Sequence, residues 1–153
     1  MSTLSIGYWS SVAAHQYFSR LQHKLSGLEL ANWYYVLVTI EDGEGHLSQQ
    51  DLADRLLLDK VSMTRALDQL SEAGYVKRCD CAGDRRKHLV KLTPKAKPAL
   101  RRIRRAYDEL NEEALRGLGK AEREVFLGQL TRMVRNLGAD APTVRMTTKR
   151  LNA

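Results

Sequence analysis

The sequence predicts a mainly α-helical fold with one small β-hairpin. Apolar side chains recur at helical spacing over most of the chain, and this period changes to an alternation of two only between about residues 75 and 92. Glycine-containing turns separate the segments, as at Ser26-Gly27, residues 41–46 (EDGEGH) and Gly74. These observations predict short helices arranged around a single hairpin.

Size and composition limit the class of protein. The chain has 153 residues and a mass of 17.4 kDa, which suits one compact unit, and 43% hydrophobic against 28% charged residues excludes disorder of the whole chain. No run approaches the roughly 18 apolar residues of a membrane span, and the start, MSTLSIGYWSS, lacks the pattern of a signal peptide. We therefore expect a cytoplasmic protein without membrane contact. Two cysteines, Cys79 and Cys81, are too few for a disulfide framework.

Three helices are predicted before residue 57. Apolar spacing favours a helix over residues 6–25, which Ser26-Gly27 ends. Residues 33–40 (WYYVLVTI) would also suit a buried strand, but both neighbouring segments are helical in pattern, and we predict a helix here too. A short helix is expected over residues 48–56, because Ser48 followed by Asp51 is typical of an N-cap.

A fourth helix follows after a tight turn, with Asp59 placed to cap its start and Gly74 to end it. Its outward face offers short polar groups and one guanidinium: Ser62, Thr64, Arg65 and Gln69. Its apolar positions are Val61, Met63, Ala66, Leu67 and Leu70. Two short helices joined in this way predict a helix-turn-helix, whereas an ordinary antiparallel helical pair is the alternative.

Two strands, over residues 75–79 and 88–92, and turn residues 82–86 predict the hairpin. Helix, helix and hairpin in this order predict a winged helix-turn-helix. A hairpin tip with Arg85, Arg86 and Lys87 would reach an adjacent minor groove, which attracts arginine. We expect Asp84 to orient one of these arginines rather than to face phosphate.

Two further helices are predicted after the hairpin. Pro94 suits the first position of a long helix that runs to about Leu115, and Gly117 and Gly119 end it. Residues 120–137 repeat the amphipathic pattern, and the tail from Gly138 has little periodicity. Because these apolar stripes are broader than one core layer needs, they and the first helix are expected to pair with a second copy, the alternative being a monomer core.

Charge is concentrated in one part of the chain, whose net charge is +7. Residues 76–105 hold 12 Lys/Arg against 2 Asp/Glu and carry +10, whereas residues 1–75 carry −4 and residues 106–153 carry +1. A basic segment in an otherwise near-neutral chain indicates a polyanionic partner and favours double-stranded DNA over membrane. A merely solvated basic surface is the alternative.

The string DQLSEAGYVKRCDCAGDRRKHLVKLTPKA, residues 68–96, resembles the recognition-helix end and wing of the MarR family of bacterial transcription regulators, most closely its SlyA-like branch. The match rests on apolar, glycine and charged positions that occur in register: Leu67, Leu70, Gly74, Asp84, Arg86, Leu92 and Thr93. The resemblance implies a homodimer that regulates transcription by occupying an inverted repeat. Residues 30–95 would form the DNA-binding domain, and residues 1–29 with 96–153 a helical dimerisation region.

Site residues carried over by position fall into three groups. The resemblance implies that Ser62, Thr64 and Arg65 lie in the major groove and Arg85 and Arg86 at the minor groove. Lys60, Lys87 and Lys91 are expected at phosphates, where they raise affinity without reading sequence.

Proteins of this family often bind small aromatic, usually anionic ligands between the dimer helices and the winged helix. The resemblance therefore implies a candidate pocket at His15, Trp33 and Tyr34. Packing of these aromatic side chains at a helix junction is the alternative.

Cys79 and Cys81 lie beside Arg78 and the wing arginines, which would lower a thiol pKa and favour oxidation. A redox-sensing wing is thus a further hypothesis. A small buried side chain is the more ordinary interpretation of a cysteine in a strand, and C-x-C alone is poor zinc spacing.

Enzymatic function is not expected. The sequence contains no G-x-x-x-x-G-K-[ST], H-E-x-x-H or G-x-S-x-G motif, and its four histidines lack metal-ligand spacing, so neither a cofactor nor a metal is predicted. The rival to a sequence-specific regulator is a low-specificity architectural or anti-silencing protein that coats DNA through phosphate contacts.

Overall fold

The computed structural model describes residues 5–28, 30, 33–81 and 84–138, and gives only the backbone of residues 80, 81 and 84–87. Six helices and one two-stranded sheet occur in these residues: α1 (Ile6–Lys24), α2 (Tyr34–Asp42), α3 (Gln49–Leu56), α4 (Lys60–Glu72), β1 (Val76–Cys81), β2 (Asp84–Leu92), α5 (Ala96–Ala114) and α6 (Lys120–Asn136). The predicted fold class is confirmed, since helices dominate and the hairpin lies between α4 and α5.

One apolar core joins the first five helices and the hairpin. Its fully buried side chains include Leu21, Leu37, Ile40, Leu52, Met63, Leu67, Leu70, Ile103, Leu110 and Val90. Each such side chain contributes roughly 1.5–3 kcal/mol through burial. No residue of α6 is buried, so this helix lies outside the core.

Helices α3 and α4 form the predicted helix-turn-helix. Ser48 caps α3 by accepting from the backbone N–H of Asp51, and the Asp51 carboxylate accepts from the N–H of Ser48 in return. Leu57 ends α3 in the left-handed conformation (φ 53°) and turns the chain toward α4. Asp59 caps α4 through the N–H of Ser62, at 2.8 Å, and Gly74 follows the helix with φ +78°.

The hairpin, which we call the wing, packs one face on the core. Val76 pairs with Leu92 and Arg78 with Val90, and Val76 and Val90 are buried. The N–H of Val90 donates to the carbonyl of Leu47 at 2.9 Å, which ties β2 to the segment before α3. The predicted strand boundaries were too short: β2 begins at Asp84, so Asp84 to Arg86 belong to the strand and not to the turn.

Helix α5 begins later than predicted. Pro94 precedes the helix, whose N-cap is Lys95 and first residue Ala96. Thr93 is held in place because its N–H donates to Tyr75 O and its hydroxyl donates to Gly74 O at 2.6 Å. The helix therefore starts only after the chain has left the sheet. At its other end α2 extends through Asp42, one residue into the predicted turn at 41–46.

Helix α1 packs along α5, with Leu21 and Leu25 in the core. Polar contacts border this packing: Tyr17 donates its hydroxyl to Asn111 Oδ1 at 2.7 Å, and Lys24 donates to Glu109 at 3.1 Å. Exposed ion pairs contribute at most about 1 kcal/mol each, so buried apolar contacts dominate the α1–α5 packing. Within the described ranges, no helix has the length and apolar character needed to cross a membrane.

The cap of α4 generates a pH-dependent prediction. The Ser62 hydroxyl and N–H hold the pKa of the Asp59 carboxyl below its usual value of 3.8. Because the unfolded pKa is the higher one, the ionised cap stabilises the fold at neutral pH, and this contribution disappears as the pH falls through the folded pKa. We expect Asp59→Ala to lower the melting temperature by a few degrees at pH 7.

Asp59→Asn is the matched control, because asparagine caps a helix without titrating. Thermal melts from pH 7 to pH 2.5 should show the difference between wild type and Asp59→Asn shrinking below about pH 4. A difference that stays constant over this range would contradict the assigned role of Asp59.

Candidate nucleic-acid interface

The outward face of α4 is a shallow groove of mixed charge. Seven side chains line it: Lys60, Val61, Thr64, Arg65, Asp68, Gln69 and Glu72. The opposite face of the helix, with Met63, Ala66, Leu67 and Leu70, is buried. Burial of one face fixes which side chains the other face presents to the surroundings.

Lys60 and Arg65 are exposed cations on this face. Among the residues whose side chains are described, neither takes part in an ion pair or a hydrogen bond through its charged group. Both charged groups therefore remain available to an anionic partner, as predicted from the sequence.

Ser62 and Thr64 have internal partners that the sequence did not reveal. The Ser62 hydroxyl donates to the Asp59 carboxylate at 2.6 Å. The Thr64 hydroxyl donates to the carbonyl of Lys60 at 2.8 Å and accepts from Gln49 Nε2 at 2.7 Å. These contacts hold the two hydroxyls in one orientation and tie α4 to the first residue of α3.

Gln69 and Trp33, predicted for separate sites, contact each other. The indole Nε1–H of Trp33 donates to Gln69 Oε1 at 2.5 Å, and both side chains are half-buried. With its oxygen used in this way, the Gln69 amide has its two N–H donors left for another partner. Trp33 thus connects the start of α2 to the outward face of α4.

Val61 does not belong to the apolar stripe in which the sequence analysis placed it. The side chain is 78% exposed and lines the outward groove, whereas Met63, Ala66, Leu67 and Leu70 lie in the core. Buried positions follow a spacing of three, one and three residues, and Val61 falls outside that series. This spacing was the signal that could have separated it.

The wing places two lysines opposite each other. Lys77 of β1 pairs in register with Lys91 of β2, and both are exposed. Directly opposed like charges destabilise a sheet, so this pair favours an anionic partner at the wing. Arg78, on the other face, donates to Asp68 of α4 at 2.7 Å and joins the wing to the helix. The side chains of Asp84, Arg85, Arg86 and Lys87 lie outside the described residues.

The basic segment 76–105 is not one continuous patch. Several of its cations are held by groups of the same chain: Arg102 donates to Ser26 O, Arg104 to Glu41 and Asp42, and Arg105 to Glu109. Lys95 donates to Ala73 O and lies over the Tyr75 ring, with Nζ 4.9 Å from its centroid. The positive charge of α5 therefore supports the fold to a large extent, and the charge offered to a partner lies on α4 and the wing.

His15, Trp33 and Tyr34 do not form a contact cluster among the described residues. Tyr34 is 5% exposed and packs in the core, and His15 is exposed on α1. Tyr34 instead groups with Tyr17 and Tyr107, where α1, α2 and α5 meet. Burial raises the pKa of all three tyrosine hydroxyls, and neighbouring tyrosines raise it further. The hydroxyls are neutral at physiological pH and act as hydrogen-bond donors.

Cys79 is half-buried on β1 and pairs in register with Leu89. The thiol of Cys81 lies outside the described side chains, so the redox hypothesis keeps the form that the sequence gave it. The position of Cys79 equally suits a small apolar side chain in the sheet.

Helices α1 and α6 carry large apolar side chains that nothing in the described chain covers: Ile6, Tyr8, Trp9, Phe18, Val125, Phe126, Leu127, Leu130 and Leu137. Contiguous exposed apolar surface of this kind is typical of a protein interface. We call it the α1/α6 surface.

A double-mutant cycle tests the contact between Trp33 and Gln69. Trp33→Phe and Gln69→Leu should each destabilise the fold, and the double variant should lose about 1 kcal/mol less than the sum, which is a typical net hydrogen-bond contribution. Urea denaturation of the four proteins measures the free energies. Strictly additive losses would show that the two side chains do not interact.

Comparison with known proteins agrees with the geometry. Residues 26–87 match the sequence model of the MarR family. The fold is similar to that of a MarR-family transcriptional regulator from Listeria monocytogenes complexed with a 26mer DNA, with a TM-score of 0.81 and 25% identity over 87% of this chain and 89% of that one. It is also similar to the transcriptional regulator SlyA, with a TM-score of 0.80 and 25% identity over 87% of this chain and 94% of that one.

A third structure shares the fold at lower identity. Bordetella bronchiseptica BpsR, whose DNA binding is regulated by 6-hydroxynicotinic acid, has a TM-score of 0.75 and 20% identity over 87% of this chain and 95% of that one. The matched segment includes the helix-turn-helix and the start of the wing, and the shared fold extends to the flanking helices. This chain is a member of the MarR family of transcription regulators, with a winged helix-turn-helix for binding DNA.

Proposed function

We propose that the protein is a homodimer that binds an inverted repeat in DNA, with α4 of each subunit in the major groove. The observation that carries the proposal is the outward face of α4, where Lys60 and Arg65 present charged groups that no described side chain neutralises. Residues 30–95 would act as the DNA-binding domain, and residues 1–29 with 96–153 as the dimerisation region.

Within α4 the side chains would divide into reading and anchoring groups. Arg65 has the bidentate geometry that recognises guanine O6 and N7, and Lys60, at the first turn, suits a phosphate. The Ser62 and Thr64 hydroxyls are held by internal hydrogen bonds and would accept from or donate to neighbouring groups only with their remaining capacity. Gln69 would offer N–H donors, because its oxygen is held by Trp33.

The wing would follow the adjacent minor groove. Opposed Lys77 and Lys91 support phosphate contacts along it. Arg85 and Arg86 would enter the narrow groove, Lys87 would contact phosphate, and Asp84 would orient an arginine.

Dimerisation would bury the α1/α6 surface. A helix such as α6, with no residue in the core of its own chain, needs a partner to repay the ordering of its apolar face. A two-fold dimer also fits a two-fold operator, whose half-sites lie about 10 bp apart from centre to centre.

A small aromatic ligand would act at the junction of the two regions. BpsR, which shares the fold, responds to an aromatic acid. Trp33 connects this junction directly to α4, and the half-buried hydroxyls of Tyr17 and Tyr107 lie near Tyr34. A ligand seated beside His15, Trp33 and Tyr34 would change the spacing of the two α4 helices and release the operator.

Arg65→Ala should abolish sequence preference. Fluorescence anisotropy with an A/T-rich inverted repeat and a scrambled duplex, over a salt series, should show wild type favouring the repeat and the variant binding both alike. Arg101→Ala is the matched control, because Arg101 is an exposed arginine on α5, away from the groove. It should keep the preference and lower affinity equally on both duplexes, if at all.

Equal binding of wild type to both duplexes would contradict the sequence-reading function and favour the architectural alternative. In that case Arg65→Ala would weaken binding everywhere and reduce the log–log salt slope by about 0.9, the value for one phosphate contact.

Phe126→Glu should convert the dimer into a monomer. Phe126 is 43% exposed and lies on the α1/α6 surface, so the new carboxylate would be buried without a partner in the dimer. Light scattering after size-exclusion chromatography should give twice 17.4 kDa for wild type and 17.4 kDa for the variant. Arg132→Glu, also exposed on α6, should remain dimeric. A monomeric wild type at micromolar concentration would contradict the proposal.

A further inference from the structure

Val61 is an exposed apolar side chain on a surface otherwise made of charged and polar groups. It lies in the first turn of α4 and is 78% exposed. The other residues of the outward groove are Lys60, Thr64, Arg65, Asp68, Gln69 and Glu72, none of which is apolar. A single exposed valine is common on proteins, but this one occupies the turn from which a recognition helix contacts base edges.

The occupant of this position follows from the groups around it. Lys60 precedes Val61, and Arg65 follows one helical turn later, so a partner that covers Val61 also meets two cations. A second copy of the chain would offer the apolar α1/α6 surface, which suits neither charge. A nucleic acid supplies phosphates for the cations and, in the major groove, one kind of apolar group: the 5-methyl of thymine.

We propose that Val61 reads thymine by packing its methyl groups against the thymine 5-methyl in each half-site. This inference rests on the proposed function, since it requires α4 to lie in the major groove. It adds apolar readout to a helix whose other candidates all read through hydrogen bonds. The β-branched side chain supports this role, because it has one strongly preferred χ1 rotamer in a helix and therefore presents its methyls in a fixed direction.

Deoxyuridine provides the test, because it differs from thymidine only in lacking that methyl. The operator is first obtained by selecting tight binders from random duplexes with wild-type protein. Each thymine of the selected repeat is then replaced by deoxyuridine, symmetrically in both half-sites, and dissociation constants are measured by anisotropy. We expect one thymine per half-site at which removing the methyl weakens wild-type binding about fourfold for each half-site, the value for one buried methyl group.

Two variants assign that loss to Val61. Val61→Ala should bind the thymine operator more weakly and no longer respond to deoxyuridine at that position. Val61→Thr keeps the branched shape and replaces one methyl with a hydroxyl, so it should respond less than wild type. Since Val61 is exposed, both variants should melt within about a degree of wild type, which separates a reading defect from a folding defect.

The outcomes distinguish this inference from the function beneath it. If wild type selects a repeat but binds every deoxyuridine duplex as tightly as the thymine duplex, thymine reading by Val61 is wrong and the regulator function stands. The same conclusion follows if Val61→Ala keeps the full deoxyuridine penalty. If wild type selects no sequence at all, the proposed function fails, and thymine reading fails with it.

Discussion

The position of α4 depends on its buried face, and everything that the protein offers to DNA depends on the position of α4. Met63, Leu67 and Leu70 are buried in the core, Asp59 caps the helix, and contacts from three directions limit its rotation: Thr64 to Gln49 of α3, Asp68 to Arg78 of the wing, and Gln69 to Trp33 before α2. Rotation by one residue would carry Arg65 and Val61 away from the groove they line. The outward face is therefore presented in a single orientation.

Charge has two functions in this chain, and only the structure separates them. Arginines of α5 are paired with Glu41, Asp42 and Glu109 or bonded to a backbone carbonyl, where they hold α1 and α2 against α5. Lys60, Arg65 and the opposed pair Lys77 and Lys91 lie on the DNA-facing elements and carry charge toward a partner. Residues 76–105 have the composition of a single basic patch, but geometry divides them between folding and binding.

Local signals in the sequence predicted most of the fold. Ser48, Asp59 and Gly74 mark helix ends through chemistry within three residues, and the change of period after Gly74 marks the hairpin, so these predictions needed no tertiary information. The start of α5 was wrong because Thr93 is held by Gly74 and Tyr75, a contact across 18 residues or more. The same limit applies to the site. Lys60 and Arg65 could be found from residue type and helix phase, whereas the Trp33–Gln69 bond joins residues 36 apart and has no local signal.

Hydroxyl-radical footprinting tests the central claim most directly, namely that two copies of α4 read one two-fold site. On a duplex of about 100 bp with a selected repeat at its centre, the account predicts two protected patches related by symmetry, about 10 bp apart from centre to centre, at all saturating concentrations. Protection that spreads evenly over the fragment as protein is added, without a fixed register, would contradict it.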